Sequence, residues 1–178
     1  MRMPQVTVMA FAGKSPIIAD NVLLACGAQL IGDLEIGAAS SVWFNTVLRA
    51  DVNYIRIGSR TNIQDNSTVH VTSGGAPCII GSDVTIGHNV VLHACTIEDF
   101  CLIGMGAIVL DLAVIGKESL VGAGALVTAG KVFPPRSLIL GSPARVARGL
   151  TAEEIDQLHA SAAHYVRTAQ LYALEPAG

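Results

Sequence analysis

The chain has few aromatic residues and no long apolar run. Phe, Trp and Tyr make up 4% of its 178 residues, although 51% are hydrophobic. Glycine and polar residues interrupt every apolar stretch before it reaches about eighteen residues, so no transmembrane helix is predicted. There is also no run of Lys or Arg, and the net charge is −3. These features argue against nucleic acid or a membrane as a partner.

The N-terminus lacks the continuous apolar segment of a signal peptide, because Pro4, Gln5 and Lys14 interrupt it. We therefore expect a cytoplasmic protein. The chain also has no Cys-x-x-Cys pair, and in the cytoplasm we expect its cysteines to be reduced thiols packed in or near the core. They are Cys26, Cys78, Cys95 and Cys101.

What the chain does have is an aliphatic residue at every sixth position over about a hundred residues, often followed by Gly. This hexapeptide repeat predicts an all-β solenoid, a parallel β-helix in which three hexads form one triangular coil. Successive coils stack about 4.8 Å apart. We label the three faces by their inward residues. Face A has Leu48, Val69, Leu92, Val109 and Val127; face B has Ile57, Ile80, Ile97 and Ile115; face C has Ile63, Ile86, Ile103 and Val121.

Every departure from the six-residue step falls at the corner between faces A and B. The step from Ile31 to Ile36 is one residue short, as is the step from Leu92 to Ile97. Two other steps carry insertions, at residues 49–53 and 70–77, and these insertions are rich in polar and turn residues. Loops on a rigid scaffold are where sites tend to be built.

Three of the five histidines lie within two coils. His70 and His93 each directly follow an inward residue of face A, so they should project outward from equivalent positions on successive coils. At that spacing two imidazoles can bind one metal ion. His88 follows Ile86 by two residues and projects from face C instead. It could complete the site if a second subunit placed its face C against this face A, a head-to-tail contact that closes into a trimer.

Three neutral imidazoles suit zinc, with iron or cobalt as alternatives. They leave a fourth position for water, whose pKa zinc lowers to about 7, so that a metal-bound hydroxide forms at neutral pH. His159 and His164 are interpreted as unrelated surface residues. Cys95 is a weaker ligand candidate, because it does not occupy the position shared by the stacked histidines.

We predict that residues 1–150 form the β-helix and residues 151–175 a helix that packs on it. The repeat fades after Phe133, and Thr151 with Glu154 forms a capping box. The apolar residues that follow have helical spacing and predict a structural brace along a face of the same or a neighbouring subunit. A strand is expected around residues 6–11, and residues 175–178 are expected to fray.

The runs Leu48-Arg49-Ala50-Asp51, Asn62-Ile63-Gln64-Asp65 and His88-Asn89-Val90-Val91-Leu92-His93, with His70 between them, resemble the gamma-class carbonic anhydrases. The resemblance covers roughly residues 10–150 and also extends to a C-terminal helix. It implies a left-handed β-helix and a homotrimer, with a metal held between subunits by residues matching His70, His88 and His93.

The resemblance also assigns roles to further residues. Gln64 matches the residue that orients the metal-bound hydroxide or bicarbonate, and Asn62 matches a nearby polar residue. A charged network at the subunit interface is matched by Arg49, Asp51 and Asp65. For these three, an interface salt bridge and a catalytic role both remain open. In the register, Asp65 either pairs with Arg49 across the interface or supports a ligand. Tyr165 matches a tyrosine that reaches the site from the terminal helix.

The chain departs from the resemblance at two places. Val52 replaces a glutamate, and the loop at 72–77 has no acid where the family has a long acidic loop that passes protons to solvent.

The sequence leaves three functions open. The first is reversible hydration of CO2 to bicarbonate. The second is an acyl-CoA-dependent transferase or thioesterase, which would use one histidine as general base and no metal triad. The third is a non-catalytic trimeric scaffold with a relic metal site.

Overall fold

The computed structural model describes residues 1–174 and is a left-handed parallel β-helix of about seven coils followed by one α-helix. Residues 175–178, which were expected to fray, lie outside this range. The strands are β1 (Thr7–Met9), β2 (Ile17–Ile18), β3 (Leu23–Leu24), β4 (Gln29–Ile36), β5 (Ser41–Val42), β6 (Val47–Ile57), β7 (Asn62–Ile63), β8 (Thr68–His70), β9 (Cys78–Ile80), β10 (Thr85–Ile86), β11 (Val91–His93), β12 (Thr96–Ile97), β13 (Leu102–Ile103), β14 (Ile108–Val109), β15 (Val114–Ile115), β16 (Leu120–Val121), β17 (Leu126–Val127), β18 (Val132–Phe133), β19 (Ser137–Gly141) and β20 (Ala144–Gly149). The helix α1 spans Ala152–Leu174.

The three predicted rows of inward residues are confirmed by strand pairing. On face A, Val69 pairs with Leu48 and with Leu92, and the row continues through Val109 to Val127. The rows of faces B and C pair in the same way. Their side chains are buried and form one continuous core. Because each inward residue stacks on its counterpart, each outward residue also has a fixed neighbour on the next coil.

One assignment in the first coil was wrong. Leu30, not Ile31, is the inward residue of face A: Leu30 is buried and pairs with Leu48. Ile31 pairs with Arg49 and therefore belongs to the outward row that continues through His70. The step from Leu30 to Ile36 is then a full hexad. The six-residue step itself selects Leu30 over its aliphatic neighbour Ile31, so the wrong assignment departed from the repeat.

The repeat also continues further than predicted. Strand β19 pairs in parallel with β16 and aligns Ile139 with Val121, so a face C strand follows Pro134 and Pro135. The prolines occupy a corner, where no ladder hydrogen bond is needed from them. Strand β20 then pairs antiparallel to β19 and ends the solenoid.

The C-terminal helix begins with the predicted capping box. The backbone N–H of Glu154 donates to Thr151 Oγ1 at 3.2 Å, and the Thr151 N–H donates to Glu154 Oε2 at 2.9 Å. The helix packs along face C of its own chain, against β3, β5, β7 and β10. Leu158, Ala162 and Ala169 are its buried residues. The brace therefore covers part of the face that carries His88.

The remaining expectations concern the cysteines and the first strand. All four cysteines are free, and Cys78, Cys95 and Cys101 are buried. The expected N-terminal strand is present as β1, which is shorter than residues 6–11 and pairs with β4. Within residues 1–174 no helix has the length and hydropathy of a membrane span.

Candidate metal centre

His70 and His93 end strands β8 and β11 and lie side by side on face A. They are paired residues in the ladder, and both point outward because Val69 and Leu92 point inward. Their ring centroids are 5.1 Å apart, and His70 Nδ1 lies 3.1 Å from His93 Nε2. The repeat thus brings two ring nitrogens from different coils into direct contact.

Each of these imidazoles is held by a carboxylate on its other nitrogen. His70 Nε2 lies 3.1 Å from Asp51 Oδ1, and His93 Nδ1 lies 2.6 Å from Asp111 Oδ1. A hydrogen bond from Thr72 lowers the pKa of Asp111, and the bond from His93 lowers it further. For Asp51, desolvation acts to raise the pKa, but hydrogen bonds from Arg49 and His70 outweigh it. Both aspartates are therefore ionised at neutral pH and can only accept hydrogen bonds.

Because the carboxylates accept, the two outer ring nitrogens carry the hydrogens. In the neutral imidazoles, His70 Nδ1 and His93 Nε2 then turn their lone pairs toward each other at 3.1 Å. Two lone pairs at that distance repel, and either a metal ion between the rings or a shared proton would relieve the repulsion. Two nitrogens bound tetrahedrally to zinc at 2.0–2.1 Å are about 3.3 Å apart. The residues present therefore fit a shared metal ion in donor type, protonation and spacing.

His88 lies on another face and has its own carboxylate partner. Its Nδ1 is 2.6 Å from Asp65 Oδ2, which leaves Nε2 as the ring nitrogen for a further ligand. Asp65 thus contacts a histidine of its own chain, the second of the two roles open to it. Across residues 1–174, no three His, Cys, Asp or Glu side chains converge as a metal site. One chain brings together two of the three predicted ligands, and the third stands apart.

Arg49 continues the row of His70 and His93 one coil earlier. It pairs with His70 in the ladder, and its guanidinium donates to Asp51 Oδ2. Asp51 thus accepts from Arg49 on one oxygen and from His70 on the other. The register shift between β4 and β6 places this aspartate in the outward bulge at the first insertion.

Asn62 and Gln64 lie on face C and are buried. Gln64 Nε2 donates to Asn62 Oδ1 at 3.1 Å. Asn62 Nδ2 donates to Thr85 Oγ1 at 3.0 Å and to the Val84 carbonyl at 3.3 Å. Thr85 in turn lies 3.2 Å from Ser161 Oγ on α1. The two amides are therefore fixed in one orientation by a network that ends on the helix.

Tyr165 also belongs to the face C side. Its ring packs edge-on against Trp43, with centroids 5.7 Å apart. Burial raises the pKa of Tyr165, and the negative charge of Asp65 adds to the effect. The other two histidines belong to the helix: His159 packs against Phe100 with ring centroids 4.3 Å apart, and His164 is exposed.

Comparison with known proteins places this geometry in a family. No family model matches the chain. It is 45% identical over 165 residues to a carbonic anhydrase of Geobacillus kaustophilus, covering 93% of this chain and 90% of that protein. It is also 47% identical over 176 residues to the mitochondrial gamma carbonic anhydrase 1 of Arabidopsis thaliana. The chain belongs to the gamma carbonic anhydrase family. It spans 64% of the length of the Arabidopsis protein, and the match covers 96% of this chain.

The chain also resembles a solved structure whose name indicates a different enzyme class. A Bacillus cereus crystal structure, provisionally named an acetyltransferase, is 43% identical and superimposes with a TM-score of 0.94. The match covers 96% of this chain and 99% of that one. Proteins whose names imply different chemistry thus share this β-helix. The function must therefore be inferred from the residues of the site and not from the fold.

The sequence did not predict two residues that hold His93, namely Asp111, which contacts it, and Thr72, which contacts Asp111. Asp111 was overlooked because it lies a full coil after His93, outside the matching motifs. A usable signal was present: it is an acid two residues after the inward Val109, at the corner where the insertions collect. Thr72 Oγ1 donates to Asp111 Oδ2, a contact within the second insertion that the register could not show.

Proposed function

We propose that the protein catalyses the reversible hydration of CO2 to bicarbonate at a metal site formed between the subunits of a homotrimer. The observation that carries the proposal is the contact between His70 Nδ1 and His93 Nε2, with a carboxylate on the far side of each ring. Membership of the gamma carbonic anhydrase family supports the same chemistry. Zinc is the proposed metal, with iron or cobalt as alternatives.

The proposed site joins two half-sites from neighbouring chains. Face A of one subunit supplies His70 and His93, and face C of the next supplies His88. A head-to-tail contact of this kind closes into a ring when repeated. Apolar residues on face A support such a contact, since Val91 and Ile108 are paired outward neighbours and both are exposed. Burying them against a partner would remove apolar surface from water.

When bound, a zinc ion held by three imidazoles lowers the pKa of a coordinated water to about 7. The chain's own residues then position the reactants. We propose that Gln64, locked by Asn62, hydrogen-bonds the attacking oxygen and later the bicarbonate. Arg49 and Asp51 hold His70, and Asp65 holds His88. Tyr165 would border the site from the helix.

Hydration of CO2 also releases a proton in each turnover, and the two places where the resemblance predicts acids that carry it contain none. Val52 and the insertion at 72–77 contribute no acid. Asp51 and Asp111 are ionised and already bind histidines, so they are poorly suited to exchange protons with solvent. We therefore expect turnover to depend on added buffer as the proton carrier.

The decisive experiment combines metal analysis with stopped-flow CO2 hydration at alkaline pH in a concentrated buffer. We expect about one metal ion per chain and a buffer-dependent rate in the wild type. His88→Ala should lose both, whereas the matched control His164→Ala, an exposed histidine on α1, should lose neither. Wild-type protein that stays metal-free after zinc loading would end the proposal. A fully loaded protein with no rate above background would support the non-catalytic scaffold over CO2 hydration.

Mixed trimers test the shared site directly. Neither His88→Ala nor His93→Ala subunits can form a complete site alone. When the two are co-expressed, an intact site forms wherever the His93 of one variant meets the His88 of the other. For random assembly this applies to about a quarter of sites. Recovery of roughly that share of metal and activity is expected, and no recovery would show that the ligands come from one chain.

A second candidate function rests on the similarity to the Bacillus cereus structure named as an acetyltransferase. An acyl-CoA-dependent enzyme on this scaffold needs one histidine as general base and no metal. An acyl-CoA hydrolysis and transfer assay with and without chelator separates the two functions. Chelator-insensitive turnover of acyl-CoA would favour the second candidate. The cytoplasmic location remains a prediction of the sequence under either function.

A further inference from the structure

We propose that Asp111, held by Thr72, is the positioning residue for His93. Asp111 accepts the Nδ1–H of His93 and so presents Nε2 to the shared site. Thr72 fixes the carboxylate, and through it the second insertion is tied to the geometry of a metal ligand. Neither residue belongs to the motifs on which the family resemblance rests.

The contacts around Asp111 occupy both of its oxygens. Oδ1 accepts from His93 Nδ1 at 2.6 Å, and Oδ2 accepts from the Thr72 hydroxyl. An ionised carboxylate has no hydrogen to donate, so the hydrogen at His93 Nδ1 is assigned by chemistry. The opposite nitrogen, Nε2, is the one that faces His70 at 3.1 Å. Asp111 therefore sets both the ring orientation and the tautomer of His93.

The two aspartates of face A are held in different ways. Asp51 is fixed by the charged guanidinium of Arg49, whereas Asp111 is fixed by a neutral hydroxyl from the insertion. That insertion is itself braced. Asn53 Nδ2 donates to the Thr72 carbonyl at 3.3 Å and to the Gly75 carbonyl at 2.9 Å. The first insertion thus orders the second, and the second orders Asp111.

Carboxylates behind metal-binding histidines act through orientation and basicity, and removing one typically lowers metal affinity 10- to 100-fold. A purely structural Asp111 would stabilise the corner without altering His93. The two roles therefore differ in a measurable property, the tautomer of one imidazole.

The first test uses metal-free protein labelled with ¹⁵N-histidine, so that it does not depend on the proposed function. Long-range ¹⁵N–¹H correlation at alkaline pH should show His93 as the Nδ1–H tautomer in the wild type. Asp111→Ala should move it toward the Nε2–H form, and Asp111→Asn, whose amide oxygen still accepts, should largely preserve it. An unchanged His93 tautomer in Asp111→Ala would overturn the inference.

The second test measures zinc affinity by competition with a chelator and rests on the proposed metal site. Asp111→Ala should bind zinc about 10- to 100-fold more weakly. Thr72→Val should show a smaller loss, and Thr72→Ser, which keeps the hydroxyl, should bind as the wild type does. Asp156→Asn, an exposed charge on α1, is the matched control.

The combined outcomes separate the two proposals. Wild-type protein that binds no zinc but whose His93 tautomer still depends on Asp111 would refute the metal centre and keep the positioning role. If Asp111→Ala binds zinc within about twofold of the wild-type affinity, the positioning role is refuted. Loss of an orienting carboxylate is expected to lower metal affinity by more than that.

Discussion

The two proposed half-sites are built on different principles. The face A half, with His70, His93 and Asp51, lies at the corner where the coils carry insertions, and charged groups hold it from outside the solenoid. The face C half contains the amides of Asn62 and Gln64, which are buried beside the helix. Both halves hold a histidine with a carboxylate, but only the face C half adds a buried polar network to that pair.

Because of this difference, the residues proposed for function contribute unequally to stability in the two halves. On face A the outward row can vary in chemistry, from Ile31 through Arg49 to the histidines, over a core that stays aliphatic. On face C the amides of Asn62 and Gln64 satisfy buried hydrogen bonds, so under the proposed function the same residues would serve both function and stability. Substitutions should therefore affect the two halves unequally, except in the core that lies beneath both.

The largest effect on stability is expected in that common core. Leu92→Ala beneath face A and Ile86→Ala beneath face C both remove fully buried methyl groups. Each should lower the free energy of unfolding by about 2–5 kcal/mol through lost transfer energy and a residual cavity. Urea denaturation of both variants checks the prediction. A large loss at one position and none at the other would mean that the core is not continuous across the faces.

An intermediate effect should distinguish the halves directly. Asn62→Ala leaves the buried Gln64 amide without its acceptor, which should cost about 1–3 kcal/mol of stability. His70→Ala on face A removes one hydrogen bond to Asp51, which still accepts from Arg49, so metal-free stability should fall by only about 0.5–1 kcal/mol. The measurement is again urea denaturation, with chelator present for both variants. Equal losses would show that the face A half also supports the fold.

The smallest effect on stability is expected in helix α1, which packs on face C and not on face A. A hydrogen bond from Arg148, assisted by one from the Thr151 backbone, lowers the pKa of Glu154 from 4.5 to about 2. A lowered acid pKa stabilises the folded state above the unfolded value. The advantage of wild type over Glu154→Gln should thus be complete above pH 4.5 and fade as the pH falls toward 2. Unfolding midpoints measured across this range test it, and a pH-independent difference would contradict the assignment.

The sequence predicted most of the fold because its repeat is a counting rule. Once Val69 and Leu92 are matched, the stacking of His70 on His93 follows, and the structure shows that pairing. The assignment of Ile31 was wrong because it departed from that rule: counting six residues back from Ile36 reaches Leu30, which the structure places inward. The repeat was also ended too early at Pro134 and Pro135, which turn a corner of the coil, whereas Phe133 and Ile139 keep the six-residue step.

Less of the candidate site than of the fold could be predicted from the sequence. Register gives the position of a Cα atom and the face to which a side chain belongs, but not how far a side chain reaches. The contact of Asp111 with His93 crosses one coil and depends on rotamers that Thr72 stabilises. Asn62 and Gln64 were identified from resemblance alone, because nothing in a hexad pattern distinguishes a catalytic amide from a structural one.

The placement of His88 on a different face from its proposed co-ligands has a thermodynamic consequence. A cation bound by residues of two chains crosslinks them, so part of its binding free energy becomes association free energy. Under the proposed arrangement, chelation would loosen the quaternary structure, and dilution would weaken retention of the ion. The concentration of free metal ion and the concentration of subunits would then together determine how many metal sites are filled, because both enter the same equilibrium.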